Sequence, residues 1–164
     1  MVCLKEEIQY FKAYLTIQNE RFGNRINLEI AISEDLLEYL IPKLILQPLL
    51  ENSLEHGLSN KSGEWRILLE AILTPEGDLL LTLEDNGIGI TEERLEDIQG
   101  SLRNETEKVI KSSSHIGLSN VNSRIRLKFT EDKYGITIKS TYGEGTIVQV
   151  LTKALQEDSS DGKL

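Results

Sequence analysis

At 164 residues, with 39% hydrophobic and 27% charged residues, the chain is long enough for one domain with its own core and has the balance of a folded globular protein. A formal charge of -9 argues against a nucleic-acid surface, so a phosphate ligand would have to be held locally by helix N-termini, a cation or a few basic groups. Cys3 is the single cysteine, which excludes an internal disulfide or a cysteine-based metal cluster; no apolar run approaches the roughly 18 to 20 residues of a membrane span, and no signal peptide is visible.

Met1-Val2-Cys3 leads straight into a helical pattern, as expected of a piece cut from a larger protein. Leu4, Ile8, Phe11, Leu15 and Phe22 recur at helical spacing and predict a first helix closed by Gly23-Asn24. Ile26, Leu28, Ile30 and Ile32 alternate with polar or small residues and predict a half-buried strand, followed by a polar break at Ser33 to Asp35. A second helix is expected from about Pro42 to Gly57, with Pro48 forcing a late start or a bend. After a polar loop, Trp65 to Leu73 and Asp78 to Glu84 read as strands, joined antiparallel by the turn Thr74-Pro75-Glu76-Gly77.

Thr91 is a candidate N-cap for a short helix to about Gln99, and Gly100 to Ser114 reads as a mobile polar loop. A third long helix is expected over about Leu118 to Phe129. Strands at Gly135 to Ser140 and Thr146 to Thr152 flank the turn Tyr142-Gly143-Glu144-Gly145, and Gln156 to Leu164 reads as a disordered tail. The expected fold is an α/β two-layer sandwich, a mixed and mostly antiparallel sheet covered on one face by helices. Residues 1–24 form the leading helix, 25–155 the main domain and 156–164 the tail.

Asp85-Asn86-Gly87-Ile88-Gly89 follows directly on an apolar strand. An ionised carboxylate there accepts hydrogen bonds from an exocyclic amine, and Gly87 and Gly89 let backbone approach a flat ring; a turn ending a strand uses the same residues. Asn52 and His56 lie four apart and share a helix face. Asn is locally unhelpful inside a helix, so either its amide oxygen faces a hard cation such as Mg²⁺ or it is an exposed polar residue near a helix end. His56 either donates to a phosphate or sits where a helix C-terminus favours a cation. Glu51 and Glu55 are candidate bases or merely solvated charges. Gly117 opens a helix, as at a phosphate-binding N-terminus. The Thr146 hydroxyl matters only if it lies beside Asp85.

The run Leu46-Gln47-Pro48-Leu49-Leu50-Glu51-Asn52-Ser53-Leu54-Glu55-His56-Gly57 resembles the N box of the GHKL ATPase superfamily, in the form close to LQPLxENAxxHG found in LytS/YesM-type sensor histidine kinases. Asp85 to Gly89 is similar to the first glycine box, Gly117-Leu118-Ser119-Asn120-Val121 to the second, and Gly143 to Thr146 to the closing glycine-threonine element. Tyr14 to Phe22 resembles the YLxIxxxRF segment that precedes the domain in that family. The resemblance implies a Bergerat fold holding ATP with Mg²⁺. Asn52 would coordinate the metal and His56 would lie near the phosphates. Asp85 would accept from the adenine amine, partly through a water near Thr146, while Gly87 and Gly89 line the base pocket. About Gly100 to Ile116 would form the ATP lid, with Gly117 and Leu118 meeting the phosphates.

The chain departs from the family pattern in three places. His115 stands where the second glycine box usually begins with glycine, which makes it a candidate phosphate contact. Pro48 occupies the position, four before Asn52, where hydrolytic members carry a water-activating Glu. The family's phosphoacceptor histidine lies upstream of the segment at Leu4, and neither His56 nor His115 matches it. The expected function is therefore the catalytic domain of a two-component sensor histidine kinase, donating the γ-phosphoryl group of ATP to a histidine outside this chain. Its expected partners are the upstream phosphoacceptor and dimerisation helices and a response regulator, with no nucleic acid and no direct membrane contact. Its expected location is the cytoplasmic side of a membrane-bound parent. The alternatives are a nucleotide-sensing or pairing module without kinase activity, and a hydrolytic GHKL ATPase.

Overall fold

The computed structural model describes residues 1–103 and 116–156. A five-stranded sheet is built from β2 (Ile26–Ala31), β4 (Trp65–Leu73), β5 (Asp78–Asp85), β6 (Gly135–Thr141) and β7 (Gly145–Lys153), in the order β2-β4-β5-β7-β6. Only the β2–β4 pair is parallel, and it needs a crossover, which the segment between them supplies; the other three pairs are antiparallel. A small second sheet pairs β1 (Val2–Cys3) with β3 (Leu40–Ile41), and Tyr39 bridges to Gln156. The two-layer, mixed and mostly antiparallel architecture expected from the sequence is the one observed.

One sheet face carries the alternating residues Ile67, Leu69, Leu79, Leu81, Leu83, Val148, Val150 and Ile138, all essentially buried. Helices α1 (Leu4–Arg21), α2 (Leu46–Asn52), α3 (Glu92–Arg103) and α4 (Ile116–Lys128) contribute apolar residues to the same core. Each fully buried Leu or Ile contributes about 1.5–3 kcal/mol, and α1 supplies four large ones: Leu4, Ile8, Phe11 and Leu15. Trp65 is fully buried at the start of β4, with Phe22 tilted against it at 4.9 Å and the Arg25 guanidinium 4.4 Å from its ring centroid.

Three local expectations change. The second helix takes the late start, at Leu46 rather than Pro42, but the cause is Leu44, whose left-handed φ of 58° no helix can run through. Pro48 then falls in the first turn, where its missing N–H has no intrahelical partner to lose. Beyond Asn52 the helix continues as a π-helix over Ser53–Leu58. The helix after the glycine motif runs to Arg103, past Gln99 and through Gly100, because burial of Ile98 and Leu102 outweighs the poor propensity of one glycine. The polar break after β2 contains a 3₁₀ turn, Glu34–Leu36, that buries Leu36. Of the expected lid, residues 104–115 lie outside the described residues, His115 among them, as do residues 157–164 of the expected tail.

Candidate nucleotide-binding site

The antiparallel pairing of β5 with β7 puts the end of one strand beside the start of the other, so Asp85 and Thr146 are register partners at one end of the sheet, on interior strands. The π-helix lies over this end. Its first residue, Ser53, donates to Asp85 Oδ2 at 2.8 Å, and the Gly57 carbonyl accepts from Ile88 N at 2.8 Å. Gly87 N donates to Asp85 Oδ1, also at 2.8 Å. Asp85 is 4% exposed. Burial raises its carboxyl above the ordinary value, opposed by hydrogen bonds from Ser53, Gly87 and Thr146 and by the charge of Lys61. Lys61 donates to the Asn86 carbonyl just behind the carboxylate.

The two glycines of this motif are there for closeness. A Cβ on Gly87 would lie 2.6 Å from Asp85 Oδ1 and against the Gly57 backbone. Gly89 has φ 68°, and a Cβ there would overlap the Thr141 carbonyl. Glycine thus lets the loop after β5 lie flat between the π-helix and the turn after β6. That turn is tied back by Gly143 N to the Ile88 carbonyl at 2.7 Å. Ser140 Oγ completes this end of the sheet: it accepts from Ile90 N at 2.8 Å, donates to the Gly145 carbonyl and lies 3.0 Å from Thr146 Oγ1.

These elements enclose a cleft of about 150 Å³, lined on one side by Asn52, His56 and Gly57, at its floor by Asp85 and Thr146, and on the other side by residues 88–91, Arg94 and Tyr142. Five of the residues picked out in the sequence therefore meet in one place: Asn52, His56, Asp85, Gly89 and Thr146. Gly87 stands directly behind the carboxylate. Gly117 and Leu118 are not in the lining. Gly117 is exposed at the start of α4, where a Cβ would meet Pro48 at 3.5 Å, and the Leu118 side chain is in the core. Glu51 and Glu55 are likewise outside the lining. Glu51 accepts from Gln47 at 2.9 Å, and Tyr14 of α1 has its phenol raised by burial and further by the charges of both glutamates. These two carboxylates thus act toward α1.

Reading the sequence missed Ser53, Arg94 and Tyr142. Ser53 adjoins Asn52, lies about 100° further round the helix and there reaches Asp85. Arg94 had a signal, as a basic residue in the first turns of a helix that follows a glycine motif. Tyr142 sat in plain view before Gly143, and its 67% exposure at the cleft edge is the reverse of what an aromatic normally shows. Among the described residues no group of three or more His, Cys, Asp or Glu side chains is placed to hold a metal ion.

In fold, the chain is similar to the histidine kinase domain of the blue-light activated histidine kinase of Erythrobacter litoralis EL346, with a TM-score of 0.60 at 19% identity, over 93% of this chain and 61% of that one. In sequence, it is 32% identical over 160 residues to the YwpD protein of Bacillus subtilis, covering 98% of this chain and 53% of that protein. It is also 32% identical over 145 residues to the sensor protein kinase HptS of Staphylococcus aureus, covering 88% of this chain and 26% of that protein. The chain thus spans about half the length of one relative and about a quarter of the other. Residues 39–156 match the family described as histidine kinase-, DNA gyrase B-, and HSP90-like ATPase. The chain belongs to that family and is an ATP-binding domain of it.

Proposed function

We propose that this domain is the nucleotide-holding half of a protein-histidine kinase, which binds ATP with Mg²⁺ in the cleft around Asp85 and presents the γ-phosphoryl group to a histidine outside these 164 residues. The observation that carries the reading is the convergence of a buried carboxylate, Asp85, with Asn52 and His56 in one cleft. Asp85 already takes hydrogen bonds from Ser53, Gly87 and the Thr146 backbone, and a carboxylate with about four lone-pair sites still has room for the adenine amine. The hydroxyl pair Ser140–Thr146 lies beside it to hold a bridging water.

Asn52 would offer Mg²⁺ one amide oxygen, with phosphate oxygens and water making up the rest, which is how this hard cation is commonly held. Bound there, it would neutralise the phosphates for in-line transfer. His56, one turn further on, would donate to a phosphate oxygen. Transfer asks mainly for positioning and charge neutralisation, so it does not depend on an activating base. Pro48 stands where a hydrolytic relative would hold such a base, which favours transfer over hydrolysis. Gly117 at the start of α4 and His115 before it are proposed as the phosphate end of the site.

α1 is proposed as the connection to the phosphoacceptor and dimerisation helices, with residues 25–155 as the catalytic domain, and a response regulator as the final acceptor. Among the described residues no helix is long and apolar enough to cross a membrane; a membrane-bound parent with this domain on the cytoplasmic side is part of the proposal. Calorimetric titration with a non-hydrolysable ATP analogue, with and without Mg²⁺, tests the site. Saturable 1:1 binding that Asp85→Asn abolishes, and whose Mg²⁺ dependence Asn52→Ala removes, supports it. Binding unchanged in both variants would refute it. Phosphoryl transfer from ATP to the acceptor helices of the longer protein tests the kinase step.

A further inference from the structure

α2 has no capping side chain of its own: Ile45 precedes it and offers none. Its leading N–H groups are met instead from α1. Glu7 Oε1 accepts from Leu44 N at 2.7 Å, and Oε2 accepts from Ile45 N at 2.9 Å and Leu46 N at 3.2 Å. Glu7 is 4% exposed and lies on the buried face of α1 with Leu4, Ile8 and Phe11. A carboxylate taken out of water costs free energy unless its lone pairs are met, so these three bonds fix where α1 sits against the start of α2. The carbonyls of the same segment are gripped from the other side. Arg124 Nη1 of α4 donates to the Lys43 and Leu44 carbonyls, both at 2.7 Å. Leu44 keeps its left-handed φ of 58° between these two grips, a conformation that costs an aliphatic residue about 1–2 kcal/mol.

We infer that Glu7 is a positioning residue for the nucleotide site: through the junction at Lys43 to Leu46 it sets the seat of α2, and with it Asn52 and His56, while Arg124 ties the same junction to α4. α2 is seven residues long, so Asn52 lies only about 9 Å along the helix axis from Leu46, too short a distance for a shift at the junction to be absorbed. A movement of α1 therefore reaches Asn52 and His56 directly, whereas Asp85 is held by the β5–β7 ladder and by Gly87 N and meets the moving run through the Ser53 bond. The inference rests on the reading of Asn52 as the residue facing Mg²⁺.

The test uses the full chain, with Glu7→Gln and Arg124→Ala, titrated with a non-hydrolysable ATP analogue in Mg²⁺ and again in chelator, with thermal melts alongside. Gln keeps one acceptor oxygen and turns an NH₂ toward backbone N–H groups. Glu7→Gln is expected to lose about tenfold of the affinity gained from Mg²⁺, a typical coupling between sites, while Mg²⁺-free binding holds within about twofold. Glu7→Asp should recover part of the loss, and Arg124→Ala should weaken the same arm less. Equal weakening in both arms, in step with lost thermal stability, would overturn the inference and leave Glu7 a folding residue; so would no change in either arm. If Glu7→Gln fails to fold, Arg124→Ala decides by the same split. Wild-type binding without Mg²⁺ dependence would overturn the reading of Asn52 and, with it, this inference.

Discussion

Asp85 and Thr146 face each other across β5 and β7. One supplies a buried carboxylate and the other a hydroxyl linked at 3.0 Å to Ser140 of β6, so two central strands deliver polar atoms to one cleft and a third braces them from behind. The ends of interior strands hold such atoms with less freedom than a loop, because each strand is fixed by ladder bonds on both sides. The opposite wall comes from the helical run carrying Asn52 and His56, and its placement depends on Ser53 reaching Asp85 at 2.8 Å. The cleft is thus held by ladder bonds at Asp85 and Thr146 and by helix contacts at Asn52 and His56.

Asp85→Asn tests both affinity and the cost of keeping the site. Asn retains an acceptor for Gly87 N, and its NH₂ can donate to Ser53 Oγ, so the fold should survive. Nucleotide affinity should fall at least about tenfold, the scale of one lost hydrogen bond to a charged group. Burial raises the Asp85 carboxyl in the folded state. The stability tied to it is therefore complete below the unfolded value and is lost as pH rises through the folded value. Without nucleotide, the variant should gain thermal stability over the parent as pH rises from about 4 to about 8. Melts across that range check it, and a constant difference would refute the sign.

Gly89→Ala and Gly87→Ala should separate fold from site. At Gly89 a Cβ meets both a left-handed φ and the Thr141 carbonyl, so the loop must move, at a cost of about 2 kcal/mol or more. At Gly87 the backbone conformation is ordinary, and the added Cβ presses on Asp85 Oδ1 and the Gly57 backbone. Affinity should then fall more than stability. Denaturant midpoints beside nucleotide titrations give the two numbers, and equal behaviour of the two variants would contradict this account.

The sheet was legible because β2 alternates and the apolar runs of β4, β5, β6 and β7 are punctuated by Pro75-Glu76-Gly77 and Gly143-Glu144-Gly145. The start of α2 was not legible. Its cap is Glu7, far away in the chain, and the left-handed Leu44 that delays it carries no local signal. Asp85 stood out by the glycines that follow it, Asn52 as an Asn inside a helix, and His56 because it lies four residues on along the same face. Ser53 did not, since its contact with Asp85 depends on where the helix packs against the end of β5, a tertiary outcome.

At the other end of β5, Asp78 shows the opposite electrostatics. It accepts from Lys133 Nζ at 2.6 Å and Tyr134 Oη at 2.8 Å, and the Lys133 bond chiefly holds its carboxyl below the ordinary value. Its stabilising contribution is present above the unfolded value and is lost as pH falls through the folded one. Asp78→Asn should lower the melting temperature at neutral pH, with the gap to the parent closing in acid. Nucleotide affinity should not change, because Asp78 and Asp85 sit at opposite ends of the strand. A loss of affinity would mean that the cleft responds to global stability.

Tyr142 is the last residue whose role can be read from its position. Its ring lines the cleft yet is 67% exposed, and no core packing accounts for it. A ring held at the mouth, beside the turn tied to Ile88, is suited to lie against the face or edge of a bound base or ribose. Tyr142→Ala should leave the melting temperature of the free chain unchanged and weaken binding of the ATP analogue by about 0.5–1.5 kcal/mol, the range for an aromatic contact. Tyr142→Phe should bind like the parent if the ring, not the hydroxyl, is what counts. Tripolyphosphate, which has no base or sugar, should bind all three alike. If Tyr142→Ala weakens tripolyphosphate as much as the analogue, the ring acts on the phosphate side and its placement at the base is wrong.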